Sequence, residues 1–508
     1  MKLAEVFGNN MVLQQKTAVP VWGEAAPGER ITVTVQGQTV ETCADSNGKW
    51  ELRLNPLQAS EHETLRVTGQ TGGIELNNVA VGEVWLAGGQ SNMEFHMRYD
   101  RDFEAEKKNC FNPNIRMFDY PLVISEEARK RFDFSENFGF WRPCDQDNLQ
   151  WYSAVAYYFA RDLQKALQVP VGIIGVNCGG SRSACWMDEE TLDRCGRIWM
   201  DEYLQGLSAI PDLEAAEEAF YNSPMADHTH PFDNPASERM LFGMEEEELL
   251  QLFSLFSASE AMVIGPWHEW RPCGLYHTML ERVMPYAVRG VIWYQGECDE
   301  DHPEIYADMM EGLVGLWRSR WGRDLPFITT QLAPLDVRVG NGGKEYPKLR
   351  EQQRLLTERM RGVYLTSTGD VGHPYDVHPK AKQPVGRRMA LLARGHVYGE
   401  EILCDAPVPD QWERDGSRLR IAFANADGGL FLNGDSVNAL HLYGGDAEIP
   451  AEEVKAVVQG NELLIDLGTK YAAESSIRVE FAATPYYEVN LYNKAQIPAL
   501  PFSLVLPV

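Results

Sequence analysis

A chain of 508 residues, 44% hydrophobic and 24% charged, is long enough for two to four domains and has the composition of an ordinary folded protein. Its formal net charge of −28 argues against nucleic acid and anionic membrane as partners, because phosphate recognition needs clustered Lys and Arg. An acidic sugar would also be repelled unless a local basic patch received it. No apolar run is long enough to span a bilayer, and Met1–Phe7 lacks the apolar core of a secretion signal. The nine cysteines are scattered and odd in number, which suits reduced thiols in a cytoplasm better than a disulfide framework. Cys178 and Cys185 lack zinc spacing, so no metal is expected.

Residues 1–80 read as a small β module. Ile31–Val35 is a β-branched run, Ser46–Lys49 a turn, and Trp50–Leu54 and Leu65–Thr68 alternate apolar with polar. From Val81 to about 399, strands alternate with helices. Val84–Ala87 is an apolar strand running into Gly89-Gln90-Ser91-Asn92-Met93. Ala154–Ala160, continued by Leu163 and Leu167, carries a helical period that Val169-Pro170 stops. Val171–Val176 is a buried strand ending in Gly179-Gly180-Ser181, and Gly290–Tyr294 another ending in Gln295-Gly296-Glu297. Pro326–Leu332 and Val363–Ser367 are further strands, with helices over Leu349–Met360 and Gln383–Tyr398. Such alternation predicts an α/β fold with a mostly parallel sheet covered by helices. Residues 188–261 interrupt the rhythm as an acidic, partly helical insertion over the sheet's carboxyl edge. Its run Glu245–Glu248 is read as a helix start, where carboxylates meet the positive end of the helix dipole. After Gly399 the helices stop. Leu419–Phe423, Val454–Val458 and Ile477–Phe481 alternate between glycine turns, predicting a second β module over 400–508.

The chemistry is concentrated at strand ends, where open α/β sheets bind ligands. Ser91 follows a strand among small residues. Asp376-Val377-His378 places a carboxylate near an imidazole. A hydroxyl needs a base to attack a carbonyl near neutral pH, and imidazole needs an acidic partner to fix its tautomer. Ser91 is therefore the candidate nucleophile, His378 the base, and Asp376 or Glu297 the acid. Oxyanion donors are expected from the backbone N–H of Ser91 and of Gly179 or Gly180, with the Gln295 amide as a third candidate. A cysteine nucleophile at Cys178 or Cys298 is a weaker alternative, since neither has a histidine nearby in sequence.

Gly89-Gln90-Ser91-Asn92-Met93-Glu94 resembles the first block of the SGNH (GDSL-like) hydrolases, in the form used by sialate O-acetylesterases and related carbohydrate acetylesterases. Gly179-Gly180-Ser181, Trp293-Tyr294-Gln295-Gly296-Glu297 and Asp376-Val377-His378-Pro379-Lys380 are similar to the later blocks, with Lys382–Arg388 continuing the last. Met11–Gln15 with Val21-Trp22-Gly23, and Gly428–Leu430 with Asn490–Asn493 and Pro498–Phe502, resemble the flanking β modules. Two residues depart from the family pattern: Cys298 stands where serine is common, and Ser181 where threonine is usual. The third block also lacks the asparagine of other SGNH enzymes.

The resemblance implies a flavodoxin-like SGNH hydrolase core between N- and C-terminal β-sandwich-like modules. It implies a serine esterase that removes acetyl groups from sugar hydroxyls without a cofactor, with O-acetylated sialic acid as the first substrate and acetylated xylan or another polysaccharide as the alternative. Arg98 and Arg182, beside the first two blocks, are candidates to clamp a sugar carboxylate. Trp186 is a candidate for stacking on a sugar face, with Trp85, Trp267 and Trp293 behind it. His96 and His373 are read as structural. A competing reading from another class is a carbohydrate-binding protein with an inert hydrolase core. No oligomeric state is implied.

Overall fold

The computed structural model describes residues 1–70, 72–232, 235–257, 263–336 and 343–507. The chain divides into two compact units, Met1–Cys298 with Asp308–Phe327, and Asp299–Ala307 with Ile328–Val508.

The first unit opens with antiparallel strands. Lys2–Leu3, Val19–Glu24 and Lys49–Leu54 form one sheet, and Arg30–Val35 pairs with both Gln38–Cys43 and Ser60–Gly69. Strict alternation in Lys49–Leu54 buries Trp50, Leu52 and Leu54 and leaves Lys49, Glu51 and Arg53 in water. The 18-residue strand Gly72–Gly89 then serves two sheets. Its first half pairs antiparallel with Ser60–Gly69, and its second half lies parallel to Val171–Asn177 and Gly290–Tyr294. Burial follows the change: the early residues alternate, whereas Val79 to Gly89 is buried throughout, as in a strand covered on both faces. Position 80 therefore falls inside one continuous strand.

In this unit the central sheet runs in the order Trp141–Cys144, Asn112–Asp119, Val171–Asn177, Gly72–Gly89, Gly290–Tyr294. It is mixed, because Trp141–Cys144 is antiparallel to its neighbour. Helix Ala154–Leu167 covers it. Ser153 Oγ caps the helix by accepting from the Ala156 N–H at 3.2 Å, and Gln168 ends it in the left-handed conformation. Residues Ala154 to Ala160 and Leu163 are buried, with the Phe159 ring edge-on to Trp85 at 5.1 Å. Burial of one such aromatic side chain stabilises by about 1.5–3 kcal/mol.

Helices Glu189–Cys195, Arg197–Ser208, Leu213–Tyr221, Pro235–Phe242 and Glu246–Ser257 make up the insertion. Three glutamates occupy the first turn of the last of these, as its sequence implies. The expected end of the insertion, 258–261, lies outside the described residues.

The second unit contains helix Tyr346–Arg359, strand Val363–Thr366 and helix Gln383–Leu392, which continues into a π-helical turn over Ala393–Val397. Two four-stranded sheets follow. One orders Val408–Asp415, Arg418–Ala424, Glu462–Asp466 and Lys455–Gln459; the other orders Ala447–Glu448, Leu440–Gly444, Ser476–Phe481 and Phe502–Pro507. Leu419, Ile421 and Ile465 from the first share one core with Leu442, Val479 and Phe481 from the second. The architecture is thus mixed α/β with additional β-sheet modules. Among the described residues no helix is long and apolar enough to cross a membrane.

Candidate active site

Register brings the first three sequence blocks to one sheet edge. Gly89 is level with Asn177 on one side and with Tyr294 on the other, so the segments after all three strands emerge together. Gly89 has φ +137°, and a Cβ there would lie 2.1 Å from the Tyr294 carbonyl oxygen, so only glycine fits. The chain then turns directly into the short helix Ser91–Glu94. Gln90 is the N-cap residue and Ser91 the first helical one, so the Ser91 hydroxyl is not a helix cap.

Hydrogen bonds tie the blocks together. Gln90 Oε1 accepts from the backbone of Gly296 at 3.2 Å and of Cys298 at 3.5 Å. Asn92 Nδ2 donates to Glu297 Oε1 at 2.5 Å. Gln295 Nε2 donates to the Ser181 carbonyl at 3.2 Å, and Arg182 Nε to the Cys298 carbonyl at 3.1 Å. Ser181, at the position where threonine is usual, has a structural role: its hydroxyl donates to the Cys178 carbonyl at 2.7 Å and accepts from the Trp186 indole at 2.9 Å.

The glycine pair lies beside the serine. A Cβ on Gly179 would fall 3.5 Å from Ser91 Cβ. The Gly179 N–H donates to Glu94 Oε2 at 2.6 Å, and its carbonyl accepts from Trp270 Nε1 at 2.8 Å. Both ends of Gly179 are therefore held. Gly180 has φ +72°, and a Cβ there would overlap the Trp270 ring at 2.4 Å. Two residues that matter here had no assigned role from sequence: Glu94 and Trp270. For Glu94 the signal was a carboxylate between Met93 and Phe95; for Trp270 no local pattern pointed to Gly179.

Burial raises the Glu94 carboxyl to about 7, opposed by the Gly179 hydrogen bond. The Asp119 carboxyl, at the end of a neighbouring strand, and that of Glu269 are likewise pushed by burial to about 7, each raised further by the charge of Glu94. Cys178 is buried and its thiol is driven well above the usual range, which leaves it inert as a nucleophile at neutral pH.

Asp376 and His378 belong to the second unit. They lie between strand Val363–Thr366 and helix Gln383–Leu392, in a segment whose base is clamped by Arg388 and Asp370 through bonds of 2.7 and 2.6 Å. Asp376 Oδ1 accepts from the His378 backbone N–H at 2.8 Å, and Oδ2 pairs with Lys380 Nζ at 2.8 Å. His378 is buried, and burial holds its imidazole down to about 3. The Asp376 charge works in the opposite direction, and the Lys380 and Lys382 charges add to the depression. The ring is thus neutral near pH 7, the state a general base requires.

The substrate-binding candidates have different surroundings. Arg98 pairs with Glu238 at 2.9 Å and stacks on Phe232 at 4.1 Å, which ties the insertion to the segment after Ser91. Trp186 is fully buried and edge-on to Trp293, so it offers no face to a sugar; Trp85, Trp267 and Trp293 are core residues too. Burial and the Arg98 and Arg142 charges keep His96 neutral, at about 3. Arg182, with its guanidinium 4.3 Å over the Trp199 ring, lines a cavity of about 290 Å³ together with Glu202, Tyr203 and Trp270.

Residues 257–393 match the family described as carbohydrate esterase, sialic acid-specific acetylesterase. A mouse sialate O-acetylesterase is 26% identical over 452 residues, covering 81% of this chain and 76% of its own. The human sialate O-acetylesterase is 24% identical over 450 residues, covering 81% and 74%. The crystal structure of a carbohydrate acetylesterase from Xanthomonas citri superposes with a TM-score of 0.75 at 26% identity, covering 99% of each chain. The chain is thus similar along most of its length to sialate O-acetylesterases and to a carbohydrate acetylesterase, with the family match itself confined to residues 257–393.

Proposed function

We propose that this chain is a serine esterase of the SGNH type that hydrolyses O-acetyl esters of sugars, O-acetylated sialic acid first among them. The observation that carries the reading is the shared register of Gly89, Asn177 and Tyr294, which gathers Ser91, Gly180 and Gln295 at one sheet edge. Ser91 Oγ attacks the acetyl carbonyl while His378 takes its proton. The oxyanion rests on the Ser91 and Gly180 N–H groups, with the Gln295 amide beside them. His378 returns the proton to the departing sugar oxygen, and water repeats the sequence on the acetyl-serine. Asp376 holds the His378 backbone and its charge favours the imidazolium; Glu297, bonded to Asn92, is the second candidate acid. In sequence the α/β core lies between the two β modules, and the nine free thiols favour a reducing, cytoplasmic setting.

The cavity lined by Arg182, Glu202 and Trp270 is sized for a monosaccharide, and Arg182 is the candidate group there for a sugar carboxylate. Acetate release from O-acetylated sialic acid, acetylated xylan and an aryl acetate tests the reading. Ser91→Ala is expected to abolish all three activities without changing the thermal melt, and a fluorophosphonate is expected to label Ser91. Faster release from xylan would favour the polysaccharide alternative. An unlabelled serine with no release from any ester would leave a binding protein.

A further inference from the structure

We propose that His396, Cys404 and Asp405, none of them a catalytic candidate, form a binding site for a zinc-type divalent cation. The three offer one nitrogen, one sulfur and one carboxylate oxygen, all within 4.8 Å of one another. His396 Nε2 lies 2.9 Å from the Asp405 carboxylate, Cys404 Sγ is 3.6 Å from His396 Nε2, and the same sulfur is 3.4 Å from Asp405 Oδ2. Tetrahedral zinc, with bonds of ~2.3 Å to sulfur and ~2.0 Å to nitrogen and oxygen, sets its ligand atoms about 3.3–3.6 Å apart. The two sulfur edges already have that length. Only the histidine–aspartate edge, now a hydrogen bond, must open by about 0.4 Å.

The surroundings hold the ligands in place. His396 lies in the π-helical turn Ala393–Val397, an irregularity that recurs at functional sites. Its ring stacks on Tyr364 at 4.2 Å and 7°, which fixes the direction of Nε2. Gly395 makes room for the thiol, since a Cβ there would sit 2.4 Å from Cys404 Sγ. Arg394 and Glu400 pair at 2.7 Å across the intervening loop, and the Asp405 carbonyl accepts from Asn493 Nδ2 at 2.9 Å. A histidine–aspartate hydrogen bond alone would need no buried thiol aimed at the same point. On binding a cation the Cys404 thiol gives its proton to solvent and ligates as the thiolate. His396 and Asp405 keep 30% and 33% of their side-chain surface exposed, leaving water able to fill a fourth position. The bound ion would staple the end of helix Gln383–Leu392 to the segment entering strand Val408–Asp415.

Cobalt(II) titrated into the full-length, reduced, metal-stripped protein tests this. The expected result is one-to-one growth of a thiolate-to-cobalt charge-transfer band, displaced by zinc(II), together with a zinc-dependent rise in Tm. Cys404→Ser abolishes the band. His396→Gln and Asp405→Asn each weaken cobalt binding by ~10–100-fold or more, the cost of losing even a supporting partner. Cys43→Ser, at the exposed cysteine, leaves the band intact. Absence of the band, or a band that survives in Cys404→Ser, overturns the site. Should Cys404→Ser fail to fold, unweakened cobalt binding by His396→Gln does so equally.

Discussion

Glu94→Gln isolates a carboxyl that touches the glycine beside Ser91. Burial raises that carboxyl from 4.5 to about 7. Its folded form therefore binds more protons than its unfolded form across this interval, and its contribution to stability is whole below pH 4.5 and lost as pH rises through 7. The full shift corresponds to about 3 kcal/mol, a ceiling because the residue keeps some contact with solvent. Glutamine keeps the shape and an oxygen to accept the Gly179 N–H at the position now 2.6 Å away, but it cannot ionise. Relative to the native chain, the variant should gain up to about 3 kcal/mol between pH 4 and pH 8. Relief of Asp119 and Glu269, which the Glu94 charge also raises, adds to the gain. Urea denaturation of both proteins at the two pH values reads this double difference, and the opposing pH dependence of the buried histidines cancels in it. A difference that is equal at both pH values, or that moves against glutamine as pH rises, refutes the reasoning.

Gly89→Ala places a methyl group 2.1 Å from the Tyr294 carbonyl at a positive φ; a loss of ~3 kcal/mol or more is expected by urea denaturation, and a neutral result contradicts the strand geometry. Because burial holds His378 at about 3, kcat/KM for an aryl acetate should show no acid limb centred near 6.5. The same depression makes His378 a group whose stabilisation is complete above pH 6.5 and lost as pH falls toward 3, which His378→Gln should abolish. Asp370→Ala leaves the Arg388 guanidinium, buried to 2% exposure, without its bidentate partner; a loss of ~3–5 kcal/mol is expected in thermal or urea unfolding. Arg182→Met should raise KM for O-acetylated sialic acid while leaving an aryl acetate nearly unaffected, and equal losses on both would reduce Arg182 to a structural role.

Local pattern made much of the molecule readable. Val84–Ala87 and Val171–Val176 are continuous apolar runs because both faces of those strands are covered, and Trp50–Leu54 alternates because one face meets water. The final helix, read through Tyr398, ends as an α-helix at Leu392 and passes into a π turn, a change in hydrogen-bond register that side-chain periodicity does not encode. The residue pattern switches near position 80, although the backbone of the strand runs on unbroken. No local pattern shows that the Gly179 N–H is engaged by the Glu94 carboxylate, because the two are 85 residues apart in the chain. Trp186 looked like a sugar platform because composition does not reveal which face of a tryptophan is covered.

By itself the sequence determined the order of strands and helices, the resemblance to carbohydrate acetylesterases and the small set of residue types able to perform acyl transfer, because these follow from short-range periodicity and from motifs contiguous in the chain. Tertiary structure alone decided which of those groups have their hydrogen bonds already engaged. It set the register that puts Gly89 level with Tyr294 and the protein crowding that lifts Glu94. It also brought His396 to Cys404 and Asp405 across a nine-residue step that resembles no metal motif. Desolvation and through-space contact depend on what the rest of the chain packs against each side chain, and no window of neighbouring residues carries that information.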